Sequence, residues 1–227
     1  IYTTNATVID GDGTVRESVT DGKSQRPDEL SVMQTIGLYQ TTSRFSADGQ
    51  QYYGQTAGSS TNLKGVATGS YTTKMTYNAT YGILQAQETD GVSLSHSIAG
   101  TEYIAGIYTT NATVIDGYGT VRESVTKGDS LRGATNIGSY VTTSSFDEAG
   151  GQASGLTTGT SKNVRGYATG AYTTVSAYGI DYNNLESQIT EGVSFSYTAA
   201  GAQFTSGTYT TTATTSDGSG TARESVT

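Results

Sequence analysis

Cysteine and tryptophan are absent from this chain, and proline and histidine occur once each, as Pro27 and His96. Without cysteine there is no disulfide framework and no thiolate metal site, which fits any redox compartment. One proline excludes a proline-rich stalk or linker. Charge is sparse, at 14% of residues, and acidic in balance, with 12 Lys and Arg against 20 Asp and Glu. A net charge of −8 removes the basic footprint that nucleic-acid binding requires. No apolar run approaches the length of a membrane span, and no signal peptide is evident. The chain opens inside a strand-like pattern, as expected where a leader has been removed or a longer array has been cut.

Against these absences stand 17 tyrosines, 30 glycines and an abundance of threonine and serine. Threonine and tyrosine suit pleated, half-buried surfaces, and glycine supplies turns. Disorder would show more charge and fewer aromatics. At 33% hydrophobic residues the expectation is folded β structure with thin cores. No stretch shows a helical period over a window of eleven residues.

Repetition decides the organisation. Residues 1–20 read IYTTNATVIDGDGTVRESVT, and residues 107–126 differ from them only in Tyr118 for Asp12. Residues 208–227, TYTTTATTSDGSGTARESVT, are a third and more polar copy. A shift of 101 residues aligns 36–107 with 137–208 without a gap, while the opening segments are 106 apart. The difference falls near 21–35, around Pro27, and reads as a surface-loop insertion. Three divisions follow: a first unit over 1–106, a second over 107–207, and a terminal hairpin over 208–227. Greater polarity in the last copy fits a capping repeat or a hairpin that docks on another subunit. A finer Gly-x-Tyr-x-Thr motif starts at Gly37, Gly69, Gly106, Gly138, Gly170 and Gly207. With Tyr2 it spaces the tyrosines 37, 32, 37, 32, 32 and 37 residues apart. Each interval holds two or three strands.

The opening segment predicts a hairpin. Placing Gly11 and Asp12 in a two-residue type II′ turn pairs Val8 with Val15, Ala6 with Glu17 and Thr4 with Val19. Gly117-Tyr118 and Gly218-Ser219 fit the same rule. One face then carries Tyr2, Thr4, Ala6, Val8, Val15, Glu17 and Val19, and the wetter one Thr3, Asn5, Thr7, Ile9, Thr14, Arg16, Ser18 and Thr20. Further strands are expected over 71–80, 82–87, 92–98, 172–178 and 193–198. Residues 47–61 and 147–161, rich in Gly, Ser, Thr and Gln, read as loops or β-arcs.

Candidate sites are few. Asp10-Gly11-Asp12 has the look of a calcium loop, but its second carboxylate is replaced by Tyr118 and Ser219 in the other copies, and no Glu follows at EF-hand spacing. The turn reading is preferred; calcium between repeats stays open and unplaced. The dipeptides Arg16-Glu17, Arg122-Glu123 and Arg223-Glu224 recur, and neighbours on a strand point to opposite faces. Each glutamate is therefore expected either to pair with a cation from another repeat or subunit, fixing register, or to lie on a half-buried face. Asn5, Asn78 and Asn111 head N-glycosylation sequons. His96 has Tyr197 as its counterpart, and no nucleophile elbow, phosphate loop or carboxylate pair supports catalysis, so no enzyme and no cofactor is expected. The tyrosine series reads as a packing layer rather than a sugar-stacking platform.

The Gly-x-Tyr-Thr-Thr repeats, the DGxGTxRESVT hairpins and the acidic, cysteine-free composition resemble, along the whole chain, the tandem-repeat surface proteins of archaea. Among these the chain is most similar to the sheath proteins of filamentous methanogens. That resemblance implies β-arches that join laterally into amyloid-like sheets around a cell. The expectation is an all-β protein of repeated antiparallel hairpins or arches, sandwich-like or solenoid-like, without significant helix. It would be an extracellular, cell-surface subunit whose partners are copies of itself, joined head to tail or laterally through strand edges into a sheath, fibre or S-layer. The competing expectation is an adhesin or carbohydrate-binding repeat module.

Overall fold

The structure, a computed structural model, describes residues 1–179, 181, 183–216 and 222–227, with the side chains of 214–216, 222 and 223 left out. It is all-β. Fourteen antiparallel strands follow one another in a single sheet, in sequence order. They are β1 (Tyr2–Ile9), β2 (Val15–Pro27), β3 (Met33–Phe45), β4 (Gln51–Thr61), β5 (Ala67–Tyr77), β6 (Leu84–His96) and β7 (Glu102–Ile115). Then come β8 (Val121–Arg132), β9 (Thr135–Phe146), β10 (Gln152–Lys162), β11 (Ala168–Tyr178), β12 (Leu185–Tyr197), β13 (Gln203–Ser216) and β14 (Ala222–Val226). Two compact units divide the chain, residues 1–111 with 117–119 and residues 112–116 with 120–227. The repeating element is a hairpin, as expected, but hairpins lie side by side in one sheet rather than stacking as two layers or coils. Among the described residues no apolar side chain is buried.

Turn chemistry sets the strand boundaries. The first turn has three loop residues, not two. Asp10 donates its amide to the Thr14 carbonyl and accepts from the Gly13 amide, with Gly13 at φ +84°. That is a type I turn closed by a left-handed glycine bulge. The extra loop residue moves the register by one, so Thr4 faces Thr20 and Asn5 faces Val19. A one-residue slip turns every side chain of a strand over. Ser18 and Thr20 therefore share the face of Thr4 and Ala6, and Glu17 and Val19 lie on the other. The second copy has the same positive φ at Gly119, +84°, and the third turn, with Gly218-Ser219, lies outside the described residues. A two-residue turn does occur, at Gly133-Ala134 between paired Arg132 and Thr135, with Gly133 at φ +62°. In the first unit the insertion around Pro27 enlarges this same tip to residues 28–32.

Side chains cap the turns. Asp10, Asp28, Asn62 and Asn163 each accept two backbone amides two and four residues on. Gln34 Nε2 donates a third hydrogen bond to the Asp28 carboxylate. Led by that bond, these contacts hold the Asp28 carboxyl below its ordinary value of 3.8. A depressed folded pKa contributes stability that is present above the unfolded value and lost as pH falls through the folded one. The Leu30 and Val32 amide shifts should therefore titrate with a midpoint below 3.8; a midpoint at or above it would show that the cap is not formed.

The segments read as loops are strands. Gln51–Thr61 forms β4 and Gln152–Lys162 forms β10, each hydrogen-bonded on both sides. Gly91 and Gly192, just ahead of the strands expected over 92–98 and 193–198, sit inside β6 and β12. Their reason for being glycine lies in the neighbouring strand.

Candidate functional site

The site is one face of the sheet, built from two interlocking motifs. Odd-numbered strands from β3 to β13 carry Gly-x-Tyr-x-Thr. Even-numbered strands from β2 to β12 carry Thr-x-Gly-x-Ser, at Thr20, Thr56, Thr89, Thr126, Thr157 and Thr190. Alternate residues of a strand share a face, so the three named residues of each motif point the same way. Antiparallel pairing then sets them in transverse rows.

The first row alternates tyrosine and glycine. In the first unit it runs Tyr2, Gly22, Tyr39, Gly58, Tyr71, Gly91, Tyr108. In the second it runs Gly128, Tyr140, Gly159, Tyr172, Gly192, Tyr209. From Tyr39 onward each ring lies over the glycine of the preceding strand. A methyl carbon added at Gly22, Gly58, Gly91, Gly128, Gly159 or Gly192 would fall inside the ring of its tyrosine partner. This is an aromatic cover over a bare glycine backbone, a device that stabilises strands lacking a side chain. Burial raises the Tyr108 pKa, with a smaller contribution from Tyr71, and burial raises that of Tyr77.

The second row is all threonine. Thr4, Thr20, Thr41, Thr56, Thr73, Thr89 and Thr110 face one another in turn in the first unit. Thr126, Thr142, Thr157, Thr174, Thr190 and Thr211 do so in the second. Hydroxyls bond in pairs at 2.8 Å across Thr4 and Thr20, Thr41 and Thr56, Thr73 and Thr89, Thr142 and Thr157, Thr174 and Thr190, and Thr211 and Thr227. Replacing one partner, as in Thr73→Val, should cost about 1 kcal/mol, because the other hydroxyl loses its mate. The double variant Thr73→Val/Thr89→Val should recover most of that loss. Chemical denaturation of the four forms checks this; a double variant worse than the sum of the singles would contradict it.

Flanking rows complete the face. Serine and glycine alternate in one, Ser24, Gly37, Ser60, Gly69, Ser93, Gly106 and Ser130, Gly138, Ser161, Gly170, Ser194, Gly207. The other contains Ser18, Ser43, Gly54, Met75 and Gln87, then Ser124, Ser144, Gly155, Ser176 and Gln188. None of these four rows contains a charged residue. The opposite face of the same strands carries Glu17, Asp21, Lys23, Arg44, Lys74, Glu88 and Asp90 in the first unit, and Glu123, Lys127, Asp129 and Glu191 in the second. Across these four rows the charge is thus segregated to one side; Arg26 and Arg132 follow on the neutral side one row beyond Ser24 and Ser130.

The residues singled out from sequence fall as follows. Glu17 pairs with a cation on the next strand, Arg44 Nε at 3.2 Å, and accepts from the Thr7 hydroxyl. Both partners are solvated, so the pair adds little stability. Glu123 accepts from the Thr113 hydroxyl at 2.8 Å and stands opposite Ser145 where the first unit has Arg44. Arg16 lies 3.9 Å from Asp10, and the Nη1 atoms of Arg16 and Arg122 are covered without a hydrogen-bond acceptor. Glu224 is exposed opposite Thr215; the Arg223 side chain lies outside the described residues. Asn5 and Asn111 are exposed on the charged face, paired with Val19 and Glu88. Asn78 is half-buried in a turn, its Oδ1 accepting from the Thr80 and Tyr81 amides. At the calcium candidate, Asp10 Oδ1 serves the Asp12 and Thr14 amides. Among the described residues no three acidic or histidine side chains gather into a metal-sized group. His96 lies 3.7 Å from Glu102.

On the charged face, a shallow groove of about 440 Å³ lies between Asp21, Leu38, Gln40, Ala57 and Ser59. A corresponding one of about 790 Å³ in the second unit is lined by Val141, Thr158, Thr173, Glu191, Val193 and Thr210. No helix among the described residues is long and apolar enough to cross a membrane. Comparison with protein-family models and with curated proteins returns no match.

Proposed function

We propose that the chain is a non-catalytic structural subunit that self-assembles through β-strand edges into an extracellular layer, sheath or fibre. One observation carries this reading: a sheet of fourteen strands with no buried apolar side chain among the described residues. Burial of apolar surface is the dominant favourable term in folding, and here only neighbours within the sheet supply it. Open sheets rarely exceed about ten strands unless stacking or side-chain ladders support them. The ladders are present; further burial has to come from outside the molecule.

Two features support edge addition. β6 receives β7 with Gly91 under Tyr108 and Thr89 against Thr110. β1 carries the same residues as the matching part of β7, with Tyr2 at 72% exposure. An incoming Thr-x-Gly-x-Ser strand would meet there the contacts that β6 makes with β7. The grooves on the charged face overlap at equivalent positions of the two units, 38–40 with 139–141 and 57–59 with 158–160, which suits repeated contacts better than a single adhesin pocket. The sequons at Asn5 and Asn111 and the likeness to archaeal sheath proteins support a cell-surface setting.

Negative-stain imaging with sedimentation of the purified chain tests the proposal. Ordered polymers formed without added ligand are the expected outcome. A monomer at every concentration, or one that binds a glycan and never polymerises, would reverse it in favour of a binding module.

A further inference from the structure

Self-assembly by edges leaves both faces of the sheet open, and the two faces differ. From the segregation of charge we infer that the uncharged Tyr–Gly–Thr–Ser face packs against the same face of a second copy. The inference rests on the assembly reading and adds to it the surface that makes a second, perpendicular contact.

Three observations identify the occupant. First, at a net charge of −8 copies of the chain repel one another, yet four adjacent rows of one face carry no charge. Like can meet like there without desolvating an ion. Second, the threonines are paired hydroxyl to hydroxyl, so their row brings few unsatisfied polar groups to a contact. A dry sheet-to-sheet contact needs that. Third, the area suffices. From strand spacing and rise, four rows across six strands span on the order of 600 Å² per unit. Closed on its counterpart, each unit would bury about 1,200 Å² in total, the lower bound for a specific interface, and the chain has two units. A polysaccharide chain laid along the tyrosine row would cover a fraction of this, leaving the threonine and serine rows open.

The test uses assembled full-length protein. Oriented wild-type material should diffract at about 4.7 Å, from strand spacing, and at about 10 Å, from paired sheets. Thr73→Lys with Thr174→Lys charges the neutral face, and should abolish the second reflection while keeping the first. Ser70→Lys with Thr173→Lys, on the charged face of the same strands, should keep both. Tyrosine nitration reads the same contact without mutation. In assembled wild type, Tyr71 and Tyr172 should be protected at least tenfold relative to dissociated chain. Tyr81 and Tyr118, at turn tips with 73% and 93% exposure, should react equally in both states. Polymers that diffract only at about 4.7 Å, or rows of tyrosine nitrated as fast as the tips, would overturn face pairing while leaving edge assembly standing. Protection conferred on the monomer by a neutral polysaccharide would overturn it as well. Absence of any polymer would remove both.

Discussion

Gly170→Ala and Gly69→Ala should each lower stability by about 2 kcal/mol, the usual scale of overpacking. A methyl carbon at Gly170 would lie 2.7 Å from the Val193 carbonyl oxygen, and at Gly69 2.6 Å from that of Val92. Backbone cannot swing aside as a side chain can, so the neighbouring strand has to shift. Gly37 is the internal control. It occupies the same row, but its nearest neighbour, the Ser59 carbonyl oxygen, is 3.4 Å away. Gly37→Ala should therefore be neutral or gain a few tenths of a kcal/mol from reduced chain freedom. Thermal midpoints that fall together for all three would mean that the carbonyl contact does not govern the row.

Tyr172→Ala should cost a similar amount, about 2 kcal/mol, by uncovering Gly159 and returning a half-buried ring to water. The midpoint of unfolding should drop by roughly 4–8 °C. Tyr172→Phe keeps the ring and should stay within about 0.5 kcal/mol of wild type. The contrast separates cover from hydrogen bonding: a Phe variant as damaged as the Ala variant would show that the hydroxyl matters and the ring does not. Amide exchange at Gly159 should accelerate in the Ala variant alone, because only there is its backbone exposed.

Why these residues were only partly legible in the letters is a matter of physics. Gly-x-Tyr-x-Thr announces itself because tyrosine is bulky and spaced. Its partner, Thr-x-Gly-x-Ser, recurs as often but contains nothing that marks a strand. Glycine inside a strand reads as a break, and here it is the socket for a ring arriving from the next strand. Residues 47–61 read as a loop or β-arc for a related reason. Strands are found by alternation of apolar and polar residues, which records a core on one side. With no core, alternation runs instead between small and large and between neutral and charged, as in Thr56-Ala57-Gly58-Ser59-Ser60. The hairpin register failed on one count: Asp10-Gly11-Asp12-Gly13 accommodates a two-residue or a three-residue loop, and only the left-handed Gly13 with the Asp10 cap decides. The all-β class and the repetition of antiparallel hairpins were legible, since they depend on local periodicity, but the faces expected for β1 hold only to Ala6, because a bulge there sets Val8 opposite Glu17. Glu17 met its cation on β3, the adjacent strand, a contact that no spacing rule could assign before the register was known.

A sheet stabilised by its sisters has a thermodynamic signature. Anything that binds the folded form alone raises the unfolding midpoint with concentration. The most direct measurement is thus the thermal midpoint of strand loss across a wide range of protein concentrations, from fully dispersed chain to assembled material. A midpoint that climbs steadily with concentration, and strand signal that fades on dilution, is the expected result. A midpoint that stays fixed from the most dilute sample to the most concentrated would mean that the lone chain holds its fourteen strands unaided, and that its bare face and edges await no copy of itself.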